Sequence, residues 1–319
     1  MYRFARKPYI RTSKICYLLS NKTDIFLEYR SLLFSIAYNM LGKVDAAEDI
    51  VQDTFVKWLE TKTEEIRHIK AYLVKAVTNK SINYLQSARV KHEEYTGIWL
   101  PEPLSSQESN SAQTKMESYH ALSIGILVLL EKLTPNERAI FLLKEIFAYD
   151  YSELAEIFDK TEDNCRQLFK RAKNNLGKDA RRFEVDLKVH EKVLNSFLLA
   201  ISEGNLEDLI QLLKEDIIFF AEGGGAAFFL NGQRLTAFSK PIYGRDNVSR
   251  LLISVIQKIV QYTPDLHREI IIVNGLPSII NYSGNDPRAL VSIEPDGDQI
   301  KNIYVQTNPE KLKRFKRVL

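Results

Sequence analysis

The sequence has little cysteine: only Cys16 and Cys165 among 319 residues, and neither belongs to a spaced cluster of the kind that disulfide frameworks or zinc sites need. That excludes a disulfide-stapled secreted scaffold and fits a reducing cytoplasm. No apolar run approaches the roughly 18 residues that span a membrane. The basic opening segment holds only Ile15 to Leu19 as an apolar stretch, so it makes a poor signal peptide. Charge of one sign is lacking too. The 44 Lys and Arg oppose 41 Asp and Glu, so a nucleic-acid argument must rest on local placement rather than on the total. With 45% hydrophobic and 27% charged residues, the composition is that of a globular chain. At this length two or three domains are expected, because single cores stop growing near about 250 residues.

Residues 1–23 carry Arg3, Arg6, Lys7, Arg11 and Lys14 and no acid before Asp24, which describes either a nucleic-acid-binding arm or a disordered start. Residues 24–92 read as helices, broken at Gly42 and around Thr61 to Glu65. Residues 93–120 change character: Glu102 to Gln113 is rich in Ser, Gln, Asn and Glu, which is linker composition. Helical periodicity returns over 121–182. From 186 to 319 two helices (about 187–202 and 205–214) precede strand-like runs at Ile217 to Ala221, Ala226 to Leu230, Glu269 to Val273, Ser278 to Tyr282, Ala289 to Ile293 and Ile300 to Gln306, with one more helix at about 246–261. Gly223-Gly224-Gly225, Asn231-Gly232, Asn274-Gly275 and Pro295-Asp296-Gly297-Asp298 supply the turns.

The sharpest local pattern lies between Leu133 and Leu176. Thr134-Pro135-Asn136-Glu137 is a capping box with proline at the first helical position. Tyr151, Leu154, Ala155 and Phe158 then form one apolar stripe, and Asp159 to Glu162 make a polar connection with Thr161 as N-cap of a third helix. On that helix Cys165, Leu168, Phe169, Ala172 and Leu176 face a core, while Arg166, Lys170 and Lys173, flanked by Gln167 and Arg171, lie opposite. Such a helix has the donors to read a major groove, where Arg reads guanine and Gln adenine; a solvated surface helix shows the same charge pattern. Leu133 to Arg138, Tyr151 to Ile157 and Arg171 to Leu176 together resemble region 4 of the extracytoplasmic-function sigma factors. The resemblance implies that Asn164, Arg166, Gln167, Lys170, Arg171 and Lys173 contact the −35 promoter element.

Nearer the N-terminus, Leu33, Ile36, Ala37 and Met40 recur at helical spacing before Gly42, which supplies a left-handed stop. A second helix is expected from Asp45, capped with Glu48. Ala47, Val51, Phe55 and Trp58 would face its core, and Asp45, Asp49, Gln52 and Asp53 would form an acidic face suited to a basic protein surface or to water. The third helix, about 69–89, is opposite in sign: no acid occurs between Glu65 and Glu93, and Lys75, Asn79, Asn83 and Gln86 form a stripe beside Lys80, Arg89 and Lys91. Lys and Arg for phosphate with Asn for exposed base edges suits melted DNA, although Asn is also an ordinary solvated residue. Asp45 to Phe55 is similar to the polymerase-binding segment of sigma region 2. That implies core RNA polymerase as partner, through its β′ clamp helices and, for region 4, its β flap. Asp45, Glu48, Asp49, Gln52 and Asp53 would make the first contact, and Lys75, Asn79, Lys80, Asn83 and Arg89 would meet the −10 element.

Residues 186–319 resemble the SnoaL-like domain, an α+β cone in which a curved, mostly antiparallel sheet wraps a helix and leaves a pocket able to take a small-molecule ligand. Three motifs are similar to those of the sigma subgroup with this fused domain: Trp99-Leu100-Pro101-Glu102-Pro103, Gly223-Gly224-Gly225, and Asn308-Pro309-Glu310-Lys311-Leu312. Trp99, Pro101, Glu102, Glu222, the three glycines, Asn308, Pro309, Lys311 and Leu312 are the regulatory contacts so implied, with control in cis. In the subgroup the glycines follow Asp and precede Lys; here Glu222 precedes them and Ala226 follows, which leaves the carboxylate without its neighbouring lysine. His190 and His267 are the domain's only histidines and are read as surface or strand-edge residues, with no acid–base pair at telling positions. The expected protein is two helical sigma regions followed by the cone, with promoter DNA and polymerase as partners, no membrane, no cofactor and no catalysis. The rival is an enzyme with a SnoaL-like pocket tethered to DNA-binding helices, and a buried carboxylate or imidazole with a partner in that pocket would discriminate them.

Overall fold

A computed structural model of the chain describes residues 9–62, 66–92, 97–105, 121–177, 186–222, 228–230, 233–235, 240–262 and 266–317. The chain forms two compact units. Met1–Ser87, Glu117–Tyr119 and Thr134–Asn174 make the first, and Ala88–Met116, His120–Leu133 and Asn175–Leu319 the second. Among the described residues no helix is long and apolar enough to cross a membrane.

The first unit is helical. Helix α1 (Tyr9–Leu41) begins well before Asp24, because no proline or glycine interrupts 9–41; the basic extension is therefore helical from Tyr9, and residues 1–8 lie outside the described residues. Gly42, at φ +61°, ends it as expected, donating its N–H to Tyr38 O. Leu33, Ile36, Ala37 and Met40 are all buried. Helix α2 (Val44–Glu60) starts one residue before Asp45, and its N-cap Lys43 makes no side-chain cap bond. Asp45 is therefore not the cap that was expected but a residue of the first turn, where the helix dipole favours it. Helix α3 spans Ile69–His92.

Helix α5 (Pro135–Phe141) opens with the full capping box of Thr134 and Glu137 and passes into a π-helical turn, Leu142–Ile146. Helix α6 (Tyr151–Phe158) has a second box, Asp150 with Glu153. Its buried residues are Leu154 and Ile157, whereas Tyr151, Ala155 and Phe158 are half-buried; the apolar side is turned by one residue from the expected stripe. Asp159, at φ +51°, closes α6 in the left-handed conformation that a short polar side chain tolerates. The N–H of Asn164 reaches the Thr161 hydroxyl, so Thr161 caps α7 (Glu162–Leu176).

The second unit contains α4 (Ile124–Leu130) and the α+β domain. In that domain α8 (Leu187–Glu203) and α9 (Leu206–Leu212) precede β1 (Leu213–Glu222), β2 (Phe228–Leu230), β3 (Gln233–Leu235) and β4 (Ile242–Tyr243). Then come α10 (Arg245–Tyr262), β5 (Leu266–Val273), β6 (Leu276–Ser283), β7 (Asp286–Asp296), β8 (Gln299–Gln306) and α11 (Pro309–Leu312). Six strands form one sheet in the order β4-β1-β8-β7-β6-β5, antiparallel except for β1 beside β8, while β2 and β3 pair separately. Register shifts at Leu213/Ile218, Asn281/Tyr282 and Glu294/Pro295 supply the bends that curve such sheets. Strand β7 runs on through Pro295 and Asp296, so the turn there is only Gly297-Asp298, with Pro295 at the irregularity where a missing N–H is tolerated.

Strand alternation assigns the two faces. Phe219 opposes Ile303 and, with Ile217, Ile279 and Ile293, meets Val193, Leu194 and Phe197 of α8 and Val248 and Leu252 of α10 in the main core. The next residues, Phe220 opposite Tyr304 and Glu222 opposite Gln306, face the other way. That second face carries a small cluster with Leu100 and Ile124, and another in which Leu312 and Phe315 pack on Val273, Ile280, Tyr282 and Leu290.

Candidate functional site

On α7, Cys165, Leu168, Ala172 and Leu176 are buried, and burial pushes the Cys165 thiol up, as befits a core residue. Phe169 is half-buried against Phe141 and Tyr151. Asn164, Arg166, Gln167, Lys170, Arg171 and Lys173 are all exposed. Arg166 pairs with Asp163 at 2.9 Å and Glu162 at 2.7 Å and lies 4.8 Å over the Tyr151 ring, which presents its guanidinium in one direction. Lys173 is drawn to Glu145 at 3.1 Å.

Asp45, Asp49, Gln52 and Asp53 of α2 are exposed and Glu48 half-buried, opposite buried Ala47, Val51 and Trp58. On α3, Asn79, Asn83 and Gln86 are exposed, and the side chain of Arg89 lies outside the described residues. Lys80 reaches Asp53 at 3.0 Å, so the basic and acidic faces, separate in sequence, adjoin. Lys75 meets Asp159, in the turn between α6 and α7, at 2.5 Å. Two further residues escaped sequence reasoning. Asp159 read only as part of a connection, and Arg138, buried at 4% exposure, donates from Nη1 to Met40 O at 2.8 Å. A basic residue directly after a capping box gave no signal that its charge points inward.

In the second unit the motif residues converge. Glu222 is 1% exposed, and its Oε2 accepts from Leu100 N at 2.5 Å, Gln306 Nε2 at 3.1 Å and Lys311 Nζ at 2.8 Å. Lys311 also donates to Leu100 O and sits 4.7 Å over the Trp99 ring. A cation for Glu222 is thus supplied not beside the glycines but by the Asn308–Leu312 motif. The local reason is a four-residue helix: Asn308 accepts from Glu310 N, Pro309 takes the first position, and the turn directs Lys311 to the carboxylate while Leu312 enters the core. Pro101 and Glu102 are buried as well. Gly223, Gly224 and Gly225 lie outside the described residues.

Asn274 holds the same segment further along. It bonds Leu104 in both directions, Leu104 N to Oδ1 at 3.0 Å and its own N–H to Leu104 O at 2.9 Å, and donates from Nδ2 to Leu122 O at 2.9 Å. The sequence marks Asn274 only as a turn residue, which it is, at φ +52° before Gly275.

A cavity of about 400 Å³ lies between the start of α4, the start of α8 and the ends of β6 and β7. His190 lines it. Contrary to its reading as a surface or strand-edge residue, it is 1% exposed on the inner side of α8, and burial holds its pKa below the ordinary value. Its Nε2 bonds the carbonyl of Pro277 at 2.9 Å, not an acid. His267 is exposed on β5, 3.2 Å from Glu269.

Comparison with known proteins agrees with this layout. The family Sigma-70 region 2 matches residues 25–90, and Sigma-70, region 4 matches residues 124–176. The ECF RNA polymerase sigma factor SigJ of Mycobacterium tuberculosis is 28% identical over 298 residues, 90% of this chain and 91% of its own. A probable ECF RNA polymerase sigma factor, SigI, of the same species is 27% identical over 58% of this chain and 64% of its own. The crystal structure of M. tuberculosis SigJ superposes with a TM-score of 0.70 and 25% identity, covering 91% of this chain and 98% of that one.

Proposed function

This chain is an extracytoplasmic-function sigma factor with a SnoaL-like C-terminal domain, and from that premise we propose that it binds core RNA polymerase and directs initiation at its own promoters under control of the fused domain. In this reading the acidic face of α2 docks on the β′ clamp helices and region 4 meets the β flap. The stripe of Lys75, Asn79, Lys80, Asn83 and Arg89 engages the −10 element, and the exposed residues Asn164 to Lys173 of α7 engage the −35 element. The work is done in the cytoplasm, and the C-terminal domain acts by binding rather than by chemistry, its cavity imidazole being turned to a main-chain carbonyl.

The observation that carries the regulatory part is the buried cluster of Glu222, Lys311 and Leu100. It supports a role for the SnoaL-like domain as the holder of the segment joining the two sigma regions, since Ile98 to Ser105 lies between them in sequence. Run-off transcription with purified core polymerase on genomic fragments tests the assignment. Promoter-specific transcripts are expected from the wild type, and reversing Asp49 and Asp53 to Lys should abolish co-purification with core while leaving α2 formed. Normal co-purification of that variant would reduce the acidic face to a solvated surface.

A further inference from the structure

Arg166 is held from two elements. Its Nη1 donates to Asp163 Oδ1 at 2.9 Å and its Nη2 to Glu162 Oε2 at 2.7 Å, one turn earlier on α7, while its guanidinium carbon lies 4.8 Å from the centre of the Tyr151 ring on α6. The ring that carries it is itself fixed. Tyr151 opens α6, half-buried, and meets Phe169 edge-on with centroids 6.4 Å apart; Phe169 in turn stacks at 6.0 Å on Phe141, which is buried. Lys144 also lies over the Tyr151 ring, at 4.8 Å, but its ammonium is tied to Tyr149 O at 3.0 Å and does not displace Arg166. The two ion pairs use one N–H of each terminal nitrogen. The Nε–H and a second N–H on each terminal nitrogen remain, enough for the fork that reads guanine O6 and N7. The ring contact consumes no donor, so it persists when a base takes up that fork, whereas an exposed acid pair exchanges. Arg166 also stands in the first half of α7, the part of a recognition helix that meets base edges. Lys173, 4.9 Å over the Phe169 ring and 3.1 Å from Glu145, ends in a point-charge ammonium without such a fork.

We propose that Tyr151 is a positioning residue for promoter specificity: its ring face holds the Arg166 guanidinium on course for a guanine of the upstream element, so that base preference at one position depends on a side chain that itself touches no base. This rests on the reading of α7 as the helix that meets the −35 element. The gain is pre-organisation. A free arginine must be ordered when the complex forms, whereas Arg166 is ordered beforehand. A guanidinium left to wander would settle on phosphate, a contact that carries no sequence information.

The full chain, assembled with core polymerase, is presented with a duplex pool randomised over the upstream element, and the bound sequences are counted for wild type, Arg166→Ala, Tyr151→Leu, Tyr151→Gln and Tyr151→Phe. Arg166→Ala identifies the guanine position as the one whose preference it erases. Tyr151→Leu and Tyr151→Gln should weaken the guanine preference there about two- to fivefold, the factor of one exposed cation–π contact, and leave the other positions unchanged. Tyr151→Phe should keep the preference, because the ring face remains. Thermal melting establishes which variants are folded, and either non-aromatic variant decides if the other is not. In the wild type alone, NMR should find the Arg166 side-chain protons shifted upfield by the ring current of Tyr151, and unshifted protons would overturn the proposal without any variant. So would a guanine preference undiminished in a folded non-aromatic variant, lost in Tyr151→Phe, or weakened at every position alike, each of which leaves α7 as the promoter-reading helix. If no position responds to Arg166→Ala, that reading falls together with the role of Tyr151.

Discussion

The two units use charge in opposite ways. In the helical unit the charged residues proposed to meet DNA or polymerase are only lightly paired at the surface: Lys75 with Asp159, Lys80 with Asp53, Arg166 with its own helix. In the SnoaL-like unit the decisive carboxylate is withdrawn from water, and one lysine closes over it. Exposed pairs of this kind are worth about 0–1 kcal/mol and exchange readily for phosphate or a partner's side chain. A buried pair is not exchangeable, because parting it strands a charge in a poor solvent. The first arrangement suits surfaces that must re-pair on binding, and the second suits a fixed clasp.

The largest expected effect therefore lies in the C-terminal unit, at Lys311 and Glu222. Lys311→Met keeps the aliphatic stem but leaves Glu222 without its cation, at a cost of about 3 kcal/mol in denaturant unfolding of the C-terminal unit. Adding Glu222→Gln should recover much of that loss, since the amide still offers an oxygen to Leu100 N without a buried charge. Additive losses in the double variant would mean that the two side chains act separately and that the contrast between the units is false.

Next in size is Arg166→Ala or Lys170→Ala, expected to weaken binding at the upstream promoter element by about 1–3 kcal/mol for a bidentate base contact, with unfolding unchanged within about 0.5 kcal/mol. Binding measured by fluorescence anisotropy on duplex DNA reads the first number and thermal melting the second. A stability loss with intact DNA affinity would make these residues structural, like the clasp.

The contrast also explains what the sequence could reveal. Capping at Thr134, the apolar side of α7, the stop at Gly42 and the turn at Asn274-Gly275 are set by residues within a few positions of one another, where periodicity and turn chemistry act. Pairing is a different matter. Lys311 and Glu222 are 89 residues apart, Lys75 and Asp159 84, and no local pattern selects one acid over another. Asn274 could be recognised as a turn residue, but that its amide also holds Leu104 and Leu122 depends on the fold. His190 was misread for the same reason: polar residues at a helix start are usually outside, and only the position of α8 against β6 turns this one in.

The smallest expected effect is the most informative about the helical unit. Lys75 and Asp159 meet at 2.5 Å, but with 33% and 74% of their side chains exposed, the pair contributes under about 1 kcal/mol. Asp159→Asn retains a residue that tolerates the left-handed conformation closing α6 and removes only the charge. Stability should hardly change. If Lys75 engages the −10 element, it must leave Asp159 to do so, and the variant should bind a single-stranded −10 oligonucleotide up to roughly fivefold tighter at low salt. The gain should fade toward about 1 M salt, where screening reaches about 3 Å. Asp159 also repels phosphate on its own account, and Lys75→Met separates the two effects. A gain that survives in the Lys75→Met background reports general repulsion, whereas a gain lost with Lys75 reports release of that ammonium. Equal affinity of wild type and Asp159→Asn at low salt would mean that Lys75 is not competed for, and that not every exposed pair in this unit is held ready for exchange.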